Sequence, residues 1–213
     1  MSGRLLVALL LLCAIGWWYS PVSPRVPAIA APAQGYVVDC PPPPAVRPGE
    51  APRQSPVPAG MQPVRLQPAR LVPLAGFSLE ARVLGREDYH ADRGAALSPT
   101  DLALGWGRMR EDAVLARLDI GQGARFYHYR WQDEPPLPPA EIVRSSANMH
   151  MIPATAEVAA ELRRVRRDDS VRIDGWLVEA EGADGSRWRS SLTREDQGNG
   201  ACELVYVCAI RRL

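Results

Sequence analysis

The sequence predicts an α+β protein: one small domain with a four- to five-stranded, mostly antiparallel sheet, a C-terminal β-meander and short helices, preceded by a membrane helix and a proline-rich linker. Three observations carry this expectation. Residues 5–19 contain no charge and no proline. Fifteen of the 21 prolines fall between Pro21 and Pro73. From Phe77 onward, alternating apolar and polar runs separated by Gly- and Pro-rich turns take over, with one capped helical stretch among them. The chain divides accordingly into residues 1–19, an N-terminal transmembrane anchor or signal segment; residues 20–76, the linker; and residues 77–213, an extracytoplasmic domain.

A helix running from Leu5 to Tyr19 would rise about 22 Å at ~1.5 Å per residue, short of the roughly 30 Å hydrocarbon core. Arg4 can reach the cytoplasmic interface, while Trp17, Trp18 and Tyr19 supply an aromatic belt at the far end. Local thinning then absorbs the mismatch, so a retained anchor in contact with the lipid bilayer from Leu5 to Tyr19 is expected. Two alternatives stay open. One is a signal peptide cleaved at Ala28-Ile29-Ala30, and the other is a lipoprotein anchored at Cys13, where Leu12 stands in place of the small residue wanted. All three put the remainder outside the cytosol. The expected location is the bacterial inner membrane, single pass, N-terminus in and C-terminal domain in the periplasm.

The linker cannot form a central strand or a long helix and reads as a semi-rigid polyproline-type spacer. Its one strand-like island is Gly35-Tyr36-Val37-Val38-Asp39-Cys40. All 25 basic residues are Arg, which excludes Schiff-base chemistry, a Ser–Lys dyad and a phosphate-loop lysine. The linker carries five Arg against two acids, and residues 77–213 carry 19 Arg against 22 acids. A domain of net −3 offers no basic footprint, so no nucleic-acid partner is expected.

Within the domain, the alternation of residues 77–83 marks a half-buried strand. Ser98-Pro99-Thr100-Asp101 has the form of a helix start, stopped by Gly105-Trp106-Gly107. A second short helix is expected over residues 111–118, an aromatic strand over 124–131 and a helical turn over 140–144, followed by a loop over 145–150. Thr155 caps the clearest helix, whose buried stripe is Val158, Leu162 and Val165 and whose end carries Arg163, Arg164, Arg166 and Arg167. Residues 171–181 and 186–193 flank the turn Gly182-Ala183-Asp184-Gly185, and residues 201–210 make the last strand. An even-length turn would put Trp188 on one face with Ile173 and Leu177, leaving Trp176 to face a partner unless that side is covered.

Three cysteines would lie in an oxidising space: Cys40, Cys202 and Cys208. Cys202 and Cys208 share one expected strand, where six residues span about 20 Å at ~3.3 Å each, so any disulfide involves Cys40. Three free thiols are the alternative. Among the histidines, His90 falls in a charged loop and His128 sits between two tyrosines on a strand. His150 follows Ser145, Ser146 and Asn148, so a nucleophilic site of Ser146 with His150 and a distant Asp is the one catalytic arrangement suggested, without a Gly-x-Ser-x-Gly elbow. Neither HExxH nor CxxC occurs, and no metal or cofactor is expected.

The leading functional expectation is a membrane-anchored, non-enzymatic envelope protein whose module binds a partner protein, with Asn148, His150 and Trp176 as the candidate contact residues. A periplasmic hydrolase using Ser146 and His150 is the alternative. Residues 102–107, 126–131, 146–154 and 190–207 resemble an uncharacterised family of bacterial membrane-anchored proteins; this resemblance covers most of residues 77–213 and implies the location and a single domain, but no activity or catalytic residues. Val171-x-Ile173-x-Gly175 is similar to the opening strand of OB-type barrels.

Overall fold

The computed structural model describes residues 3–18, 40, 44, 46–196, 198 and 200–213. Helix α1 (Gly3–Trp18) precedes the folded body, which runs β1 (Arg53–Ser55), β2 (Val64–Arg65), β3 (Ala69–Asp88) and β4 (Thr100–Gly105). A 3-10 turn at Gly107–Arg110 leads to α2 (Asp112–Leu115), the hairpin β5 (Asp119–Gly123) and β6 (Phe126–Arg130), and α3 (Pro139–Arg144). The chain ends with β7 (Ser146–Pro153), α4 (Ala156–Arg164), β8 (Ser170–Gly182), β9 (Arg187–Arg189) and β10 (Glu203–Arg212).

Eight strands form one mixed sheet, ordered β1-β3-β4-β7-β10-β8-β9 with β2 also on β3, and β3 pairs β8 as well. That last pairing closes a ring. The 20-residue β3 gives its first part, Ala69 to Arg82, to β8 and its last part, Arg82 to Asp88, to β4. Five strands, β3, β4, β7, β10 and β8, therefore make a closed barrel in which β10 runs parallel to β7 and antiparallel to β8. With α4 between the third and fourth barrel strands, this is the connectivity of an OB-type barrel. Residues 171–175 belong to its fourth strand, not its first.

The period-two alternation fills the barrel. Phe77, Leu79, Leu102, Leu104, Met149, Met151, Ile173, Val205 and Val207 point inward, and Val158, Leu162 and Val165 close one end. Thr155 caps α4, its hydroxyl accepting from Val158 N at 3.3 Å, and Arg163 and Arg164 lie exposed in the last turn. A second core lies outside the barrel, where Trp176, Val178, Leu204 and Tyr206 are covered by Val64, Leu66 and Leu97. A third packs Met109, Val114, Leu118, Ile120 and Ile142 against Leu84 and Ala103.

Several expectations are corrected here. The sheet is not four- to five-stranded, nor is the domain small: eight strands take part, because β1, β2 and the start of β3 come from the stretch read as a spacer. The boundary expected between residues 76 and 77 falls inside β3. Pro73 is accommodated where the β3–β8 register shifts, so a proline there does not end the strand. Thr100–Gly105 is a strand although it follows a helix-start pattern, since Leu102 and Leu104 alternate into the barrel core. Ser146–Pro153, read as loop, is a fully buried strand.

The C-terminal part is not a meander either, because β10 inserts between β7 and β8 and does not follow β9 in the sheet. The β8–β9 turn is odd-length: Glu181 pairs Arg187 and Ala180 pairs Trp188, which puts Trp188 on the face of Val178 and Ala180. Finally, α1 has 16 residues, about 24 Å at ~1.5 Å each. Expected as a membrane helix, it falls short, and no described helix is long and apolar enough to cross a membrane. Tyr36 and its neighbours in the strand-like island lie outside the described residues, apart from Cys40.

Candidate functional site

A buried polar cluster occupies the outer face of β4 and β7, where strand alternation turns Asp101, Asn148 and His150 away from the barrel core. Asp101 and His150 sit directly opposite each other in the β4–β7 register. Asp101 is wholly buried. Its Oδ1 accepts from Arg125 Nη1 at 3.0 Å, and its Oδ2 accepts from Asn148 Nδ2 at 3.1 Å. His150 Nδ1 lies 2.9 Å from Asp101 Oδ1 but off the line of a hydrogen bond. The His150 ring rests against Trp188, centroids 4.7 Å apart.

Arg125 ties the cluster together from the tip of the β5–β6 hairpin. Its Nε and Nη2 donate to both oxygens of Asp92, at 2.7 and 2.6 Å, and its Nη1 also donates to Ser98 O at 2.8 Å. The guanidinium stacks 3.7 Å from the Tyr89 ring, and the Tyr89 hydroxyl accepts from Arg125 N. Asp92 is consequently held below the ordinary carboxylate range by Arg125, whereas burial pushes Tyr89 up to about 12. Asn148 uses both amide N–H groups here, donating to Asp101 and to Arg125 O, and its Oδ1 accepts from Gln122 Nε2 at 2.7 Å.

The hairpin tip is strained in order to place Arg125. Gly123 pairs Phe126, so Ala124 and Arg125 form a two-residue turn, and both have positive φ, 51° and 69°. Each such non-glycine residue costs about 1–2 kcal/mol. Ala124→Gly is expected to raise stability by about 0.5–1 kcal/mol, the relief of strain offset partly by the freer unfolded chain. Urea unfolding of the two proteins checks it, with an unchanged m-value as the control.

The structure separates the expected nucleophile from its expected base. Ser146 and His150 share a strand face four residues apart, about 13 Å at ~3.3 Å per residue. Ser146 Oγ instead donates to Ile142 O at 2.6 Å and meets the Tyr127 hydroxyl. Asn148, His150 and Trp176, expected as partner contacts, are buried at 3%, 3% and 4% exposure. Trp176 is covered because Val64 and Leu66 pack over the outer face of β8 and β10, a consequence of the spacer joining the fold.

Cys40 forms a disulfide with Cys208, Cα atoms 5.8 Å apart, and Cys202 is a free thiol. Burial pushes the Cys202 thiol up to about 11, with Asp101 adding to the shift. It is therefore protonated at neutral pH and poorly nucleophilic. In a Cys13→Ser protein, Cys202 is expected to react with a thiol-selective disulfide reagent at pH 8 at least tenfold more slowly when folded than when denatured, read from absorbance of the released thiolate.

Two depressions flank the cluster. A cleft of about 170 Å³ lies between Phe126, Tyr127, Ser146, Thr193, Arg194 and Cys202. Arg194 contacts the buried Glu203, and burial pulls its pKa down to about 10. A groove of about 480 Å³ opens on the other side, floored by Leu97, Ala180 and Trp188 and edged by Arg93 and Arg187. Among the described residues, no three His, Cys, Asp or Glu side chains gather to hold a metal ion. Sequence reasoning found His150 and Asn148 but missed Asp101, Arg125 and Asp92, which come from a strand read as a helix start and from two loops. No family model matches the chain, and neither a curated protein nor a solved structure matches it significantly.

Proposed function

We propose that this is a non-enzymatic binding module of the bacterial cell envelope, seated at the inner membrane by its apolar N-terminal segment and presenting the barrel to a partner protein in the periplasm. The observation that carries the reading is the fate of the reactive side chains. Ser146, Cys202, His150 and Asp101 are hydrogen-bonded internally, kept protonated or buried against one another, while the groove beside Trp188 stays open. Polar groups arranged in that way hold a surface in shape. They do not offer a nucleophile and base to a substrate.

The extracytoplasmic location is supported by the Cys40–Cys208 disulfide, a bond that persists in oxidising compartments. A short apolar helix with Trp17 and Trp18 at its end supports contact with the bilayer interface. The experiment is site-specific photo-crosslinking from Ala96, at the groove, in living cells that also carry a C-terminal alkaline phosphatase fusion of the chain. A discrete adduct from Ala96, absent from the exposed Arg166 just after α4, is expected, together with phosphatase activity. An inactive fusion would overturn the location, and equal labelling from both positions would overturn the binding reading.

A further inference from the structure

We infer that the groove beside Trp188 takes an extended, acidic peptide segment carrying one large apolar anchor residue; the inference rests on the binding-module reading above and names the chemistry of the partner. The floor is apolar, formed by Leu97, Ala180, Ala69 and the face of Trp188, and its volume of about 480 Å³ suits a single large side chain with its flanking backbone. The rim is cationic. A second depression of about 460 Å³ shares Pro68, Ala69 and Gly182 with the groove and adds Arg65 and Arg70 to its edge.

Not all of this charge is available. Arg125 is spent on Asp92 and Asp101, and Arg70 is paired with Glu181. Arg65 and Arg93, however, have no ion-pair partner among the described residues. Arg187, 70% exposed, lies 3.5 Å from Glu179 and 3.8 Å from Glu181, carboxylates that are shared with Arg189 and Arg70 respectively. Asp184, in the β8–β9 turn, is hydrogen-bonded to Ser186 and feels the charge of Arg93; with Glu179 and Glu181 it sets three carboxylates against the five guanidinia of Arg65, Arg70, Arg93, Arg187 and Arg189, which leaves the rim positive. Exposed guanidinia of this kind add little to stability and are placed to attract an anion.

Shape selects among anionic partners. A bilayer surface is flat and would meet protruding residues, whereas this site is concave around a tryptophan. It is also bordered by β9, the terminal strand in the sheet order, beside which an extended segment can lie with alternate side chains directed into the groove. Arg187 and Arg189 face solvent on β9 with Trp188 between them, a spacing matched by acidic residues on either side of an apolar one.

The test uses the full chain in detergent and fluorescence anisotropy of labelled ten-residue peptides. The probes are a Glu-rich peptide with a central Phe, the same with Phe replaced by Gly, the same with Glu replaced by Gln, and vesicles of phosphatidylglycerol. Saturable binding of the first peptide is expected. It should weaken about tenfold or more without the Phe, and several-fold between 50 and 200 mM salt. The double variant Arg93→Glu with Arg187→Glu is expected to weaken it at least tenfold, and Arg166→Glu with Arg167→Glu, on the exposed end after α4, less than twofold. Absence of saturable binding, equal loss in both double variants, or vesicle binding in place of peptide binding overturns the inference. If the Ala96 crosslink persists in the groove double variant, the charge assignment fails and the binding reading stands. If Ala96 gives no specific adduct in the native chain, both fall.

Discussion

Reducing the Cys40–Cys208 disulfide, or replacing both cysteines with serine, is expected to destabilise the barrel by about 3–5 kcal/mol and to lower its melting temperature by roughly 10 °C or more. The bond joins positions 168 residues apart. In the chain-entropy model a loop of that length is worth about 5 kcal/mol before any relaxation, an upper value. A second loss adds to the first. Cys208 packs beside Trp176 and Tyr206, and the bond holds the chain leading to Val64 and Leu66 over that outer core. Calorimetry with and without reductant checks the magnitude, and limited proteolysis checks the mechanism: reduction should bring cleavage first in residues 44–63, before the barrel strands are cut. Unchanged melting after complete reduction would refute this account.

Arg125→Ala is expected to cost about 3–4 kcal/mol, the range for removing one partner of a buried ion pair. The guanidinium supplies four hydrogen bonds to Asp92, Asp101 and Ser98, and its loss leaves the wholly buried Asp101 carboxylate facing only Asn148 and the ring of His150. Asp101→Asn combined with Arg125→Ala should cost less than the sum of the single changes, because the two residues act as a unit. The pH dependence has a definite sign. Arg125 depresses the folded-state pKa of Asp92, so that part of the stability is present above the ordinary Asp value of about 4 and is lost as pH falls through the depressed one. Asp92 is partly exposed, so screening keeps this component small. The stability gap between the native chain and Arg125→Ala should narrow below pH 4. A gap that widens in acid would exclude Asp92 as the partner that matters.

Local pattern determined those parts of this protein whose physics is local. The Thr155 cap and the stripe of Val158 and Leu162 specify α4, and the alternation of Phe77, Leu79 and Val83 specifies a strand whichever sheet it joins. The aromatic run at residues 126–130 likewise specifies β6, and the apolar N-terminal run forms the helix α1. Restricting any disulfide to Cys40 followed from strand geometry alone, since Cys202 and Cys208 are too far apart on an extended chain.

The tertiary structure decided everything that depends on which strand lies beside which. Thr100–Gly105 has a helix-start pattern ahead of it, yet it is a strand because pairing with β3 and β7 and burial of Leu102 and Leu104 outweigh a capping preference of about 1 kcal/mol. The prolines at residues 52–73 argued for a spacer, but all except Pro73 lie outside the strands, and Pro73 falls at a register shift. A turn one residue longer than expected moved Trp188 to the other face of the sheet, which put it against His150 and made it the floor of the groove. The polar cluster is the clearest case. His150 and Asn148 were visible in the sequence, but Asp101, 47 residues before Asn148, and Arg125, 24 after Asp101, meet only when β4 lies beside β7 and the strained hairpin tip folds over both. Hydrophobic periodicity reports which residues face inward; it carries no information about partners brought together by barrel closure, because long-range pairing is settled by the summed packing of the whole ring.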